Sequence, residues 1–181
     1  MKISLIQMNS INDKAANIAA AARLIDQAVA EESPDWVSLP ECFDFLGGKR
    51  EDKLAAAEHL PDGPAYSAMQ ALAKRHKIFI HAGSILERAE GEERIHNTTI
   101  AFDREGREVA RYRKIHMFDI TAPDGTRYEE SASFKPGDRI ATYACEDMIV
   151  GCSICYDLRF PELFQALAAK GAEMIALPAA F

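Results

Sequence analysis

Of the four cysteines in the chain, Cys155 has the setting that suits nucleophilic chemistry; it lies in V-G-C-S-I-C-Y-D-L-R-F-P-E-L, residues 150–163. The apolar run Met148-Ile149-Val150 reads as a buried strand, and the residues from Pro161 onward read as a helix with proline in its first turn. A thiol at a sharp strand-to-helix turn is held out of the sheet beside unspent backbone N–H groups, the arrangement of a nucleophile elbow. The G-x-S-x-G form is absent, so only the mechanics carry over. A free thiol has a pKa of about 8.5 and is mostly protonated at neutral pH. It therefore needs a base to take its proton, and a positive group to hold the charge that develops on a substrate oxygen.

Two residues offer those roles. Glu41 follows Leu39-Pro40 at the C-terminal end of a strand, the end at which ligand crevices form in open α/β sheets. Lys114 stands where Ala110-Arg111-Tyr112-Arg113 leaves its strand. Taken singly, Glu41 reads as a solvated loop acid and Lys114 as part of a solvated basic face. Taken together, Glu41, Lys114 and Cys155 each sit where an apolar strand enters a loop, so all three can converge on one sheet edge. That is a base, a cation and a nucleophile.

Other constellations weigh less. Cys152 and Cys155 spell C-x-x-C, a redox or zinc signal, but residues three apart on a strand point to opposite faces and no second ligand pair follows. Cys42, Cys145 and Cys152 read as small core residues. His81 and His96 fall within strands and read as satisfied core or face residues, while His116 either lines the same pocket as Lys114 or caps local backbone. There is no glycine-rich phosphate loop. A net charge of −7 argues against nucleic-acid and anionic-membrane surfaces, and no apolar run approaches a membrane span. The first eight residues are too short and too interrupted for a signal peptide. Cysteines without a secretory signal suggest reduced thiols, so the expected location is cytoplasmic.

The elements that must position these groups follow from periodicity. In 181 residues, 48% of them hydrophobic, one domain can bury a core without staples. Strands are predicted at 2–8 and 35–39, joined by a helix that Asn12 or Asp13 caps, that runs to about residue 31 and that Ser33-Pro34 stops. Such a strand–helix–strand order suggests a crossover in a mixed or parallel sheet. Residues 40–53 read as a loop, 52–58 as a short helix and 65–77 as an amphipathic helix. Strands at 78–86, 94–102 and 107–113 are joined by turns at 90–93 and 103–106, which suggests antiparallel hairpins. Residues 114–138 read as one long irregular segment, and loops of that length in a compact domain are functional or disordered. Strands at 139–144 and 147–154, a helix at 161–170 closed by Gly171 and a strand at 173–177 complete the reading.

Three segments then resemble the motifs of one family. Leu39-Pro40-Glu41-Cys42-Phe43, Tyr112-Arg113-Lys114-Ile115-His116 and Cys152-Ser153-Ile154-Cys155-Tyr156-Asp157-Leu158-Arg159-Phe160-Pro161-Glu162 are similar, in order and spacing, to those of the nitrilase superfamily, the carbon–nitrogen hydrolases. Asp44-Phe45 and residues 116–120 look closest to the Nit-type and omega-amidase-like branches. The resemblance implies an α/β fold, the α-β-β-α sandwich with two sheets face to face. It implies that Cys155 is the nucleophile, Glu41 the general base and Lys114 the oxyanion-holding cation, helped by the backbone N–H of Tyr156. Glu130, directly before Ser131, resembles a second active-site glutamate that orients Lys114 or the substrate. Arg159 either faces the pocket to bind a substrate carboxylate or anchors Asp157 or the helix.

The implied activity is hydrolysis of a small linear amide of the omega-amide type to acid and ammonia through a cysteine thioester, with no metal or organic cofactor. The implied partners are that small-molecule amide and, as a homo-oligomer, other copies of the chain. Nitrile or carbamoyl-amine hydrolysis by the same residues is the alternative within the enzyme class. Complete domains of the family continue past Phe181, so residues 1–181 are expected to form a C-terminally incomplete domain. A catalytically silent binding or assembly module is the reading that this incompleteness motivates.

Overall fold

The computed structural model describes residues 1–180; Phe181, on which the expectation of an interrupted domain rests, lies outside the described residues. In chain order the elements are β1 (Ile3–Leu5), α1 (Lys14–Glu32), β2 (Trp36–Ser38), α2 (Arg50–Ala56), α3 (Pro64–His76), β3 (Phe79–His81), β4 (Ile85–Glu87), β5 (His96–Phe102) and β6 (Glu108–Arg113). Then come β7 (Asp119–Thr121), β8 (Arg127–Glu129), β9 (Thr142–Cys145), β10 (Met148–Cys152), α4 (Pro161–Ala169) and β11 (Met174–Ala176). Strands β1, β2 and β3 run parallel, and β5 pairs antiparallel with β3, β4 and β6. A second sheet orders β11-β10-β9.

Alternation along the strands builds two cores. Val37, Ile80, Ile100 and Phe102 face Ala21, Ile25, Met69 and Leu72 of α1 and α3. Their sequence neighbours Trp36, Phe79 and Ala101 turn the other way, onto Tyr143, Val150 and Cys152 of the second sheet, against which Leu163 and Leu167 of α4 also pack. Period-two side chains thus bury both faces of the first sheet. All seven residues of β5 are buried, as for a strand covered on both sides. The layers are helix, sheet, sheet, helix, as the resemblance implies.

Helix α1 is capped as its sequence predicts: the Asp13 side chain accepts from Ala16 N at 3.0 Å, and Ser33 turns left-handed at φ +47° to close it. Two expectations fail. The strand predicted over 78–86 is broken into β3 and β4, because Gly83 at φ +44° brings its Cα so near the Pro40 carbonyl that a Cβ would lie 1.9 Å from it. The long irregular segment contains β7 and β8, a separate antiparallel hairpin, and a 3₁₀ turn, Glu130–Ala132. Its turn sits at Pro123–Gly125, where the Gly125 N–H donates to Ala122 O at 2.8 Å.

Candidate active site

The loop that carries Glu41 is sewn to the break between β3 and β4. Ser84 N donates to Pro40 O (3.2 Å), Cys42 N to Ser84 Oγ (2.8 Å) and Phe43 N to Ser84 O (3.1 Å). Glu41 is thereby turned inward and is only 6% exposed. Lys114 arrives from the hairpin of β5 and β6, its N–H donating to Asn97 O at 2.9 Å, and is 2% exposed. Cys155 opens a 3₁₀ turn, Cys155–Arg159, directly after β10, and its backbone is left-handed at φ +48°. A non-glycine residue held there costs about 1–3 kcal/mol, which the surrounding bonds must offset. They are Ile154 N to Asp157 Oδ2 (2.9 Å), Cys155 N to Pro178 O (2.9 Å) and Phe160 N to Asp157 O (3.0 Å). The elbow is present in its physical sense: a strained turn between strand and helix.

The three segments meet at the floor of a cavity of about 780 Å³. The Lys114 ammonium lies 3.2 Å from Glu41 Oε1 and 3.0 and 2.9 Å from the two oxygens of Glu130. Burial works against that charge, but the two carboxylates outweigh it and hold Lys114 well above the ordinary lysine value. The lysine is a permanent cation. Burial, and after it the negative charge of Glu41, push the Cys155 thiol up to about 11, with Lys114 pulling the other way. The thiol is therefore neutral at pH 7.

Glu41 is fixed on both oxygens: Asn97 Nδ2 donates to Oε1 at 2.9 Å and Ala180 N to Oε2 at 2.9 Å. Glu130 is fixed in turn by Phe118 N, 2.6 Å from its Oε2. Glu129, one residue earlier, also lines the cavity but pairs with Arg127 and not with Lys114. Tyr156 and Arg159 both line the cavity. No carboxylate among the described residues pairs with Arg159, so its guanidinium is not the anchor of Asp157. His116 departs from the expectation. It is not among the cavity-lining residues: its ring lies flat on Phe160, 3.7 Å between centroids, and Nδ1 meets Asp157 Oδ1 at 2.7 Å. The aromatic slab and the buried carboxylate hold it beneath the elbow.

Several participants escape sequence reasoning. Asn97, Phe118 and Ala180 reach the glutamates through pairings distant in sequence. Asp157 binds Tyr112 Oη, the Ile154 N–H and His116 at once. Its position two residues after the thiol is the only local hint. Above the polar floor the cavity wall is apolar, with Phe45, Leu46, Phe118, Tyr128 and Phe134 prominent. Cys152, fully buried in the core between the sheets, and Cys155, on the cavity, face different surroundings. The other half of C-x-x-C is packing.

Comparison with known proteins identifies the family of the chain. The sequence profile of the carbon–nitrogen hydrolase family matches residues 2–179. The chain is 36% identical to omega-amidase NIT3 of Saccharomyces cerevisiae, covering 100% of this chain and 64% of that protein. It is 38% identical to a deaminated glutathione amidase of Synechocystis sp., covering 97% and 65%. The crystal structure of Saccharomyces cerevisiae Nit3, described as a member of branch 10 of the nitrilase superfamily, superposes with a TM-score of 0.87 at 33% identity, covering 100% of this chain and 65% of that one. The chain thus spans just under two thirds of the length of these relatives. With a profile match over nearly its whole length and a fold shared with Nit3, the chain belongs to the carbon–nitrogen hydrolase family of the nitrilase superfamily.

Proposed function

We propose that this protein hydrolyses a small linear amide of the omega-amide type to the acid and ammonia. The observation that carries the reading is that a neutral thiol and a buried ammonium flank one carboxylate, Glu41, on the floor of a single cavity. Because the thiol is neutral, attack and proton transfer go together: Cys155 Sγ bonds to the amide carbon as Glu41 takes its proton. The carbonyl oxygen becomes an oxyanion beside Lys114 Nζ and the Tyr156 N–H, which has no acceptor among the described residues. Collapse of that adduct breaks the C–N bond, Glu41 returns the proton to the leaving nitrogen, and ammonia departs from a thioester. Glu41 then deprotonates a water that attacks the thioester, and the proton passes back to sulfur as the acid leaves.

Glu130 keeps Lys114 charged and aimed. Arg159, on the cavity wall without a carboxylate partner among the described residues, suits a carboxylate on the far end of the substrate. The names of the relatives, an omega-amidase and a deaminated glutathione amidase, support an amide of this kind. The four unbridged cysteines suit the cytoplasm, and none of the described helices is long and apolar enough to cross a membrane. A homo-oligomer belongs to the same reading.

The test is ammonia release from a panel of small omega-amides, with the acid product identified, for the parent chain beside Cys155→Ala. Turnover that disappears in the variant supports the thioester route. Equal turnover in both overturns it, and so does a folded parent that neither releases ammonia nor accumulates an acyl adduct on Cys155.

A further inference from the structure

Asn97 is buried in β5, 2% exposed, opposite Leu86 of β4 and one residue before the β5–β6 ladder starts at Thr98, and it touches both charged partners of the floor. Its Nδ2 donates to Glu41 Oε1, and its backbone carbonyl accepts the Lys114 N–H, both at 2.9 Å. The orientation of the amide follows from its neighbour, since turning Oδ1 toward the carboxylate would set two acceptors face to face. Its Oδ1 is left buried with no partner. An unpaired buried acceptor opposes folding, and the adjacent Thr98 and Thr99 show what suits this strand. The sheet alone therefore gives no reason for an asparagine.

The geometry points to Asn97 as a positioning residue that holds the base Glu41 and the cation Lys114 in fixed relation to each other. Glu41 Oε1 is shared between a neutral donor from β5 and a charged one beyond β6. Without the neutral donor, the attraction of Lys114 is left as the sole side-chain restraint on that oxygen, and the carboxylate swings toward the ammonium and away from its working direction. An amide corrects this without adding charge. The other titratable groups around Glu41 are Cys155 at the elbow, Glu130 behind Lys114, and Cys42 and Asp44 on its own loop.

The inference rests on the Glu41–Cys155 chemistry proposed above, and two readouts separate their fates. One is steady-state amide hydrolysis; the other is the rate of alkylation of Cys155 by iodoacetamide at neutral pH, where Glu41 takes the proton of the neutral thiol and no amide turnover is needed. In Asn97→Ala the expected result is a fall in kcat of roughly tenfold with little change in KM, and a fall of comparable size in the alkylation rate. Asn97→Leu, close in shape and without the donor, should lower both in the same way, and it decides the matter should the alanine variant not fold. Slowed alkylation in a protein without amide turnover would keep this inference and remove the amidase reading. An alkylation rate and a kcat equal to the parent's in a folded variant would overturn it.

Discussion

The Tyr112 hydroxyl donates to Asp157 Oδ2 at 2.7 Å, so the strand that delivers Lys114 and the turn that carries Cys155 are bonded to each other two residues from Lys114 and two from Cys155. The same carboxylate takes the Ile154 N–H on that oxygen, and the His116 N–H and Nδ1 on the other. Asp157 is wholly buried. One side chain outside the cavity thus ties the position of Cys155 to that of Lys114. Tyr112→Phe should cost about 1–3 kcal/mol, the range for withdrawing one partner from a buried polar group. It should also lower kcat/KM by roughly tenfold or more, since small misplacements of reacting groups are expensive. Urea unfolding beside steady-state kinetics checks both, and a variant equal to the parent in each would show that the bond is incidental.

The alkaline position of the Cys155 thiol has a direct readout. Initial rates of alkylation by iodoacetamide should keep rising toward about pH 11, where burial and the charge of Glu41 place its ionisation. Glu41→Gln removes the negative charge and should bring the midpoint down, while burial remains. A midpoint unchanged by that substitution would contradict the assigned cause.

His81 gives the fold an acid-sensitive component. It is fully buried between the sheets, its Nδ1 lies 3.2 Å from the Tyr143 hydroxyl that accepts from Trp36 Nε1, and its Nε2 has no partner. Burial lowers its pKa to about 3 from an ordinary 6.5. In the unfolded chain the ring takes a proton below pH 6.5, while the folded chain resists until about pH 3. The stability it contributes is therefore present above pH 6.5 and lost as the pH falls through that window. Such a shift is worth on the order of 3 kcal/mol by pH 4. Asp44 acts in the opposite sense: desolvation raises it to about 6, so its contribution is lost as the pH rises through that value. His81→Phe isolates the histidine, and its unfolding free energy should decline less than the parent's between pH 7 and pH 4. Parallel declines would refute the assignment.

Gly83→Ala tests how Glu41 is mounted. A Cβ at this position would stand 1.9 Å from Pro40 O and 2.7 Å from Leu39 O, both backbone atoms that cannot swing aside, at a φ of +44°. Destabilisation on the order of 3 kcal/mol is expected from the clash and the backbone strain together. Activity should fall further than stability explains, because Pro40 immediately precedes Glu41. Thermal melts with kinetics well below the transition separate the two effects; an active, stable Gly83→Ala protein would mean that the loop is held elsewhere.

Much of this protein was legible residue by residue. A thiol after an apolar run and before Pro161, a glutamate after Leu39-Pro40 and a lysine at the end of Tyr112-Arg113 announce themselves locally, because residue type and strand exit are local properties. The sheet–helix alternation and the cap at Asp13 follow equally from short-range periodicity and hydrogen bonding. Tertiary structure decided what depends on register and close approach. Closing the 103–106 turn symmetrically would set Phe102 opposite Arg107, yet Phe102 faces Glu108 and, beyond a bulge, Ala101 faces Ala110. That slip brings Lys114 level with Asn97, and nothing in the sequence counts it. Gly83 breaks a strand that its β-branched neighbours favour, because a distant carbonyl needs the space. Glu130 and not Glu129 meets the lysine because β8 ends between them, and His116 is drawn under the elbow by Asp157 and Phe160. The sequence by itself determined which groups are available for chemistry; their mutual placement is a sum of long-range contacts, and only the folded chain evaluates it.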